Sequence, residues 1–263
     1  MTNLGIVLFL SLLGSVFALT GGIIFLYVKS WSLVLTRYSV SFAAGVLLTV
    51  ALIGLLPEAV EMIGENAFLV VLSAFLSAYL FENFACNLHH HDHNCDQPAN
   101  KSSGSTGLII IGDTIHNFID GVAIAAAYLT DPGLGWITTI STFLHEIPHE
   151  IGDFGILLKK GWPPKKIVIV NILSALFTLI GTFSVVFVSQ NENFIGILLA
   201  SAAGMFLYLG ASDFLPHAHE DLSRKKALLA LLAGVGIMLG TFKIIPHSHE
   251  HDSHHHQDQP EKN

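Results

Sequence analysis

Apolar runs of bilayer length, parted by short polar joints, repeat along the whole chain. They fall at about 4–28, 33–56, 66–85, 107–129, 134–158, 166–189, 194–215 and 227–245. A helix needs roughly 20 apolar residues to cross a hydrocarbon core of about 30 Å. Lipid offers the backbone no hydrogen bonds, so such runs must close their own bonds as helices. The pattern predicts an all-α membrane protein with eight transmembrane helices in residues 1–245. The first run lacks a basic leader and a convincing small-residue cleavage motif, and reads as a retained span, not a signal peptide. Residues 86–106 form a His-rich loop and residues 246–263 a His-rich tail.

Charge gives the spans a direction. Lys29 and Arg37 follow span 1, Lys101 follows span 3, Lys159, Lys160, Lys165 and Lys166 follow span 5, and Arg224, Lys225 and Lys226 follow span 7. Ten of the 12 basic residues thus occupy odd-numbered joints, leaving Lys243 and Lys262 elsewhere. Short basic loops stay cytoplasmic, so both termini and the 246–263 tail are expected outside, and the 86–106 loop inside. Span 2 ends in Leu55-Leu56-Pro57-Glu58-Ala59 and span 7 in Phe214-Leu215-Pro216-His217-Ala218. This echo at opposite faces suggests a 3+2+3 arrangement with inverted outer bundles, spans 4 and 5 forming the middle pair.

Composition agrees. Only 12% of the 263 residues are charged, against roughly 25% in a soluble protein, while 52% are hydrophobic and the mean hydropathy is +0.61. A formal net charge of −8 speaks against nucleic acid as a partner. Two cysteines cannot build a disulfide scaffold. The unusual number is 15 histidines.

Polar residues inside the apolar runs change the picture most. Span 4 carries Asp113, His116, Asn117 and Asp120, at i, i+3, i+4 and i+7 on one helical stripe. Span 5 carries His145, Glu146, His149, Glu150 and Asp153, again on one face. An acid at the centre of a spanning helix costs about 2.5–3.5 kcal/mol on insertion scales, and neither span holds a Lys or Arg to offset it. A divalent cation is the natural compensator. Mixed nitrogen and oxygen ligands without thiolate suit Zn²⁺, Fe²⁺, Mn²⁺, Co²⁺ or Ni²⁺. Pro148 lies within the ligand stripe and is expected to break the helix there. Gly121 to Ala127 is a small-residue stretch that admits a close neighbour.

His116-Asn117-Phe118-Ile119-Asp120-Gly121 followed by His145-Glu146-Ile147-Pro148-His149-Glu150 resembles the signature pair of the ZRT/IRT-like (ZIP) metal transporters, in the subfamily marked by HE-x-P-HE. The resemblance extends over nearly the whole chain. It implies import of zinc, sometimes iron, manganese or cadmium, through a binuclear site between spans 4 and 5. Family ligands fall on His116, Asn117, Asp120, His145, Glu146 and His149, with Glu150 close by. Asp113, Asp153, Asn171, His217 and His219 are accessory candidates. Two positions depart from the family pattern: Gly54 stands where many relatives carry His, and Leu144 where Cys is common. The implied substrate is Zn²⁺, with Fe²⁺, Mn²⁺, Cd²⁺ and Co²⁺ as alternatives, and no organic cofactor is expected. The expected surroundings are metal ions and the lipid bilayer, and the reading leaves room for a homodimer.

A second class of function fits one motif. His145-Glu146-Ile147-Pro148-His149 satisfies H-E-x-x-H, in which two His hold zinc and Glu activates water in metalloproteases. The polar inventory of span 4 exceeds the one further ligand such an enzyme needs, so transport is the preferred reading and no enzyme activity is expected. His89, His90, His91 and His93 lie between Cys86 and Cys95 in the inner loop and can hold or sense zinc. His247, His249, His251, His254, His255 and His256 can capture metal outside.

Overall fold

A computed structural model of the chain describes residues 4–87, 103–188, 191–217 and 223–247. Among these, every regular element is helical. The chain runs through α1 (Leu4–Gly14), α2 (Leu19–Tyr27), α3 (Lys29–Thr49), a π-helical segment (Val50–Leu55) and α4 (Leu56–Ile63). It continues through α5 (Asn66–Asn87), α6 (Ser103–Thr130), α7 (Pro132–Lys159), α8 (Pro164–Ala175) and α9 (Phe177–Val188). The last elements are α10 (Glu192–Tyr208), a second π-helical segment (Leu209–Phe214), α11 (Leu215–His217) and α12 (Arg224–Ile244).

Among the described residues, six stretches are long and apolar enough to cross a membrane: Leu4–Tyr27, Arg37–Ile63, Ile109–Thr130, Pro164–Phe187, Glu192–Ser212 and Arg224–Ile244. Asn66–Glu82 is a shorter apolar stretch. α7, at 28 residues, is also long, but it carries the acids of the polar stripe. Helices occupy the apolar runs, the second extending past its run to Ile63, and several of them are interrupted. Span 1 breaks at residues 15–18, where Ser15 Oγ reaches the carbonyls of Ser11 and Ala175.

The expected break at Pro148 does not occur. Helix α7 runs through it from Pro132 to Lys159. A proline removes one N–H and crowds one carbonyl, a loss this helix absorbs without ending; around it α2 packs closely on α7, with Ile147 against Gly21 and Phe154 against Gly22.

Asp131 builds the hairpin on which the site depends. Its backbone is extended, its Oδ1 accepts the N–H of Leu134 at 2.8 Å, and Pro132 opens the helix. An acidic cap followed by proline is a strong start signal. Gly135 then lets α7 pass so close to α6 that a Cβ there would sit 2.7 Å from Tyr128 Cα. The two helices run antiparallel from this turn. Counted from Asp131, Asp120 and His116 lie 11 and 15 residues back, while His145, Glu146 and His149 lie 14, 15 and 18 residues on. At 1.5 Å per residue these side chains meet at one level, roughly 20 Å from the turn.

Glycines fix the other contacts. A Cβ on Gly121 would fall 1.9 Å from the Thr178 carbonyl oxygen, and one on Gly181 would fall 2.0 Å from that of Phe118, so α6 and α9 touch backbone to backbone. Gly45 and Gly234 make the same reciprocal approach between α3 and α12, and Gly204 brings α10 onto α5. Without a hydrophobic force between helices in lipid, such small-residue contacts are what hold a bundle together. The apolar core draws on α3, α6 and α10: Ala123, Ala125, Ala126 and Ala127 share one buried cluster with Val46, Leu47, Leu199 and Phe206. Leu72, Leu80, Leu228 and Leu229 point outward from α5 and α12.

Candidate metal site

Antiparallel α6 and α7 bring the two polar stripes face to face. His116, Asp120, His145 and Glu146 form one buried group in which each offers a ligand atom within 4.8 Å of the others. Asp113, His149 and Asp153 form a second group, and Asp113, Glu146 and Glu150 a third that links the two. Asp113 and Asp153, ranked as accessory from sequence, therefore lie beside the main candidates.

His116 Nε2 is 3.2 Å from Glu146 Oε2 and 3.8 Å from Asp120 Oδ2. His145 Nε2 is 3.3 Å from Asp120 Oδ2, and His149 Nδ1 is 3.7 Å from Asp113 Oδ1. Two ligands at 2.0–2.1 Å from a tetrahedral ion stand about 3.3–3.4 Å apart. The spacing therefore fits ligands around a common ion as well as it fits direct pairs. The His116 ring stacks on His149 with centroids 4.6 Å apart and meets His145 edge-on at 5.4 Å.

The ring of His145 is oriented by its own helix. Its Nδ1–H donates to the Ser141 carbonyl at 2.9 Å. In the neutral ring Nε2 is then a bare lone pair, the form a metal needs, and it faces a carboxylate that is also an acceptor. Two acceptors facing each other call for a cation between them. Asp120 Oδ1 and Oδ2, His145 Nε2, Glu146 Oε1, His149 Nδ1 and both oxygens of Glu150 are buried with no hydrogen-bond partner. Five carboxylates face three imidazoles here, and imidazoles that ligate a metal are neutral, so full ionisation leaves a charge of −5 that divalent cations would largely offset.

Asn117 has its amide engaged. Its Nδ2 donates to the Asp113 carbonyl at 3.1 Å and to Asp113 Oδ1 at 2.9 Å, while its Oδ1 accepts from Thr178 Oγ1 at 3.1 Å. In this arrangement it aims Asp113. Asn171 on α8 is buried and donates to the Ile167 carbonyl. His217 closes α11, and His219 lies outside the described residues. So do His89, His90, His91, His93, His249 and His251. His247 packs its ring against Phe242 and donates from Nδ1 to the Ile245 carbonyl at 3.0 Å. Gly54 supplies no ligand side chain, and a Cβ there would sit 2.8 Å from the Phe242 ring.

Three contributors escaped the sequence reading. Thr178 supports Asn117, the Ser141 carbonyl orients His145, and Phe206 of α10 caps the His145 ring at 5.4 Å. Only Thr178 left a trace, as a hydroxyl in an apolar span three residues before Gly181.

Apolar helices around a buried set of imidazoles and carboxylates define an integral, multi-pass membrane protein. Residues 87–242 match the family described as ZIP Zinc transporter, and the chain belongs to that family. Among similar curated proteins, human zinc transporter ZIP10 is 42% identical over 138 residues, covering 48% of this chain and 17% of that protein. Zinc transporter foi of Drosophila melanogaster is 36% identical over 130 residues, covering 48% and 18%. Human zinc transporter ZIP6 is 37% identical over 140 residues, covering 51% and 18%. The chain thus spans under a fifth of the length of each of these three relatives.

Proposed function

We propose that this protein imports divalent metal, Zn²⁺ foremost, into the cytoplasm through the cluster between α6 and α7. The observation that carries the reading is the set of buried, unpartnered carboxylate and imidazole atoms at ligand-to-ligand spacing. One ion binds among His116, Asp120, His145 and Glu146, and a second among Asp113, His149 and Asp153, with Glu150 alongside. Family membership and the names of the relatives support zinc as the cargo. Fe²⁺, Mn²⁺, Cd²⁺ and Co²⁺ share the ligand chemistry and are its competitors.

Eight spans carry the site, with α1–α2, α3–α4, α8–α9 and α10–α11 each serving as one interrupted span. The inverted 3+2+3 arrangement draws support from two features. Both π-helical segments run directly into a Leu-Pro helix start, at Leu56-Pro57 and Leu215-Pro216. Pairing spans 1–3 with spans 6–8 also exchanges the α3–α12 contact with that of α10 and α5. Rocking of one bundle against the other then alternates access to a site near the midplane. Both termini lie outside, with residues 86–106 in the cytoplasm. Lys166 over the Trp162 ring, at 3.6 Å, suits the inner interface. The external tail from His247 captures metal before import.

The protease alternative fares worse. Zinc proteases close both His of the motif on one ion, whereas His145 faces Asp120 and His149 faces Asp113.

The decisive experiment measures metal uptake into sealed vesicles, with competing cations. Asp120→Ala and His149→Ala each abolish zinc uptake while the protein still reaches the membrane. Undiminished uptake in both variants would remove the site assignment.

A further inference from the structure

We propose that Thr138, Ser141 and Thr142 of α7 form a hydroxyl-lined route by which a hydrated divalent cation reaches the His145–Asp120 cluster from the end of the bundle that bears Asp131. The inference rests on the transport reading above and assigns a role to residues outside the ligand set.

Buried hydroxyls on apolar helices usually return to the carbonyl one turn back. Ser11 does so onto Val7 at 2.9 Å, Thr49 onto Gly45 at 2.7 Å, Thr139 onto Gly135 at 2.8 Å and Thr182 onto Thr178 at 2.9 Å. Thr138, Ser141 and Thr142 do not. All three are fully buried, yet their hydroxyl oxygens have no hydrogen-bond partner. Such a group forfeits its hydration without replacement.

Their placement follows the ligand stripe. Thr138, Thr142, His145 and His149 step along one face of α7 at intervals of three and four residues. The rungs are about 4.5–6 Å apart along the axis, and Thr138 lies only seven residues from Asp131. Thr139, one residue off the stripe, is the one that satisfies itself. The unused hydroxyls therefore line the approach to the site.

Neutral hydroxyls suit passage better than storage. Each can accept from or donate to a water of the ion's hydration shell. Lacking charge, they hold the ion too weakly to trap it, and the His/carboxylate cluster beyond binds it firmly. Helix α1 packs over this face of α7, since a Cβ on Gly14 would sit 3.2 Å from Thr142 Cγ2 and 3.0 Å from Ile124 Cδ1.

Thr138→Val and Thr142→Val keep the side-chain shape and remove the hydroxyl. Combined in the full chain, they are expected to lower zinc uptake into vesicles by about fivefold or more, as loss of hydrogen bonds to a charged species does. Zinc bound per purified chain stays unchanged, which separates an access defect from damage to the site. Thr139→Val is expected to stay within about twofold of wild type, since that hydroxyl bonds only its own helix. A second arm uses the chain with Cys86→Ser and Cys95→Ser. Thr138→Cys and Thr142→Cys should react with a charged, membrane-impermeant thiol reagent faster than Thr139→Cys. Wild-type uptake in the valine double variant, or labelling no faster at 138 and 142 than at 139, overturns the route. Asp120→Ala measured alongside tells the two readings apart: loss of uptake there with wild-type uptake in the hydroxyl variants removes the route and leaves transport standing. Retained uptake in both Asp120→Ala and His149→Ala removes the ligand site instead, and the labelling arm still decides the route.

Discussion

Gly121→Ala perturbs the contact on which the geometry of α6 depends. The added Cβ would lie 1.9 Å from the Thr178 carbonyl oxygen, where real Cβ atoms keep at least 3.0 Å, so the two backbones must part by about 1.1 Å. No side-chain rotation relieves this, because the atom met is backbone. Overpacking of this kind typically costs 1–3 kcal/mol. Helix α9 presents Ile180 and Phe187 outward, so it is the element free to yield. As it moves, the 3.1 Å bond from Thr178 to Asn117 is lost and Asp113 is released with it. Loss of a group that orients a ligand typically costs 10–100-fold in metal affinity. Zinc uptake by Gly121→Ala, corrected for protein in the membrane, should therefore fall by roughly that factor at low zinc. Gly112→Ala is the control, because it lies on the same helix with open space around it. Equal zinc dependence in Gly121→Ala and Gly112→Ala would refute the link between the glycine contact and the site.

Two further outcomes are expected. Zn²⁺ at a hundred times its Kd stabilises a one-site protein by about 2.7 kcal/mol; thermal unfolding in detergent should shift upward with zinc, return with chelator, and respond less in Asp120→Ala, which leaves only the second group intact. An equal response in that variant would place the binding elsewhere. Deleting residues 247–263 should lower the apparent affinity for zinc modestly at an unchanged maximal rate, and an unaltered affinity would end the capture role of the tail.

Much of this fold is legible along the chain. The apolar runs anticipate helices to within a few residues at Ser103–Thr130, Pro132–Lys159 and Arg224–Ile244, because the bilayer imposes one length and one backbone solution. Their interruptions are less legible. Pro148 advertises a break, yet α7 continues through it to Lys159. The break at residues 15–18 carries no proline, and beside it Ser15 donates to the carbonyl of Ala175, 160 residues away.

By itself the sequence determined that the chain spans a membrane and that two of its helices carry acids and imidazoles no lone helix could keep in lipid. It also determined which residues those are, since the helical period places them on one stripe. Only the tertiary structure decided which of them meet. The cap at Asp131 and the glycine approach at Gly135 set α6 and α7 in register, so that Asp120 falls opposite His145 and Asp113 opposite His149. Periodicity assigns a residue to a face but is silent on the rotation and depth of the helix opposite. Those come from backbone contacts between residues far apart in the chain.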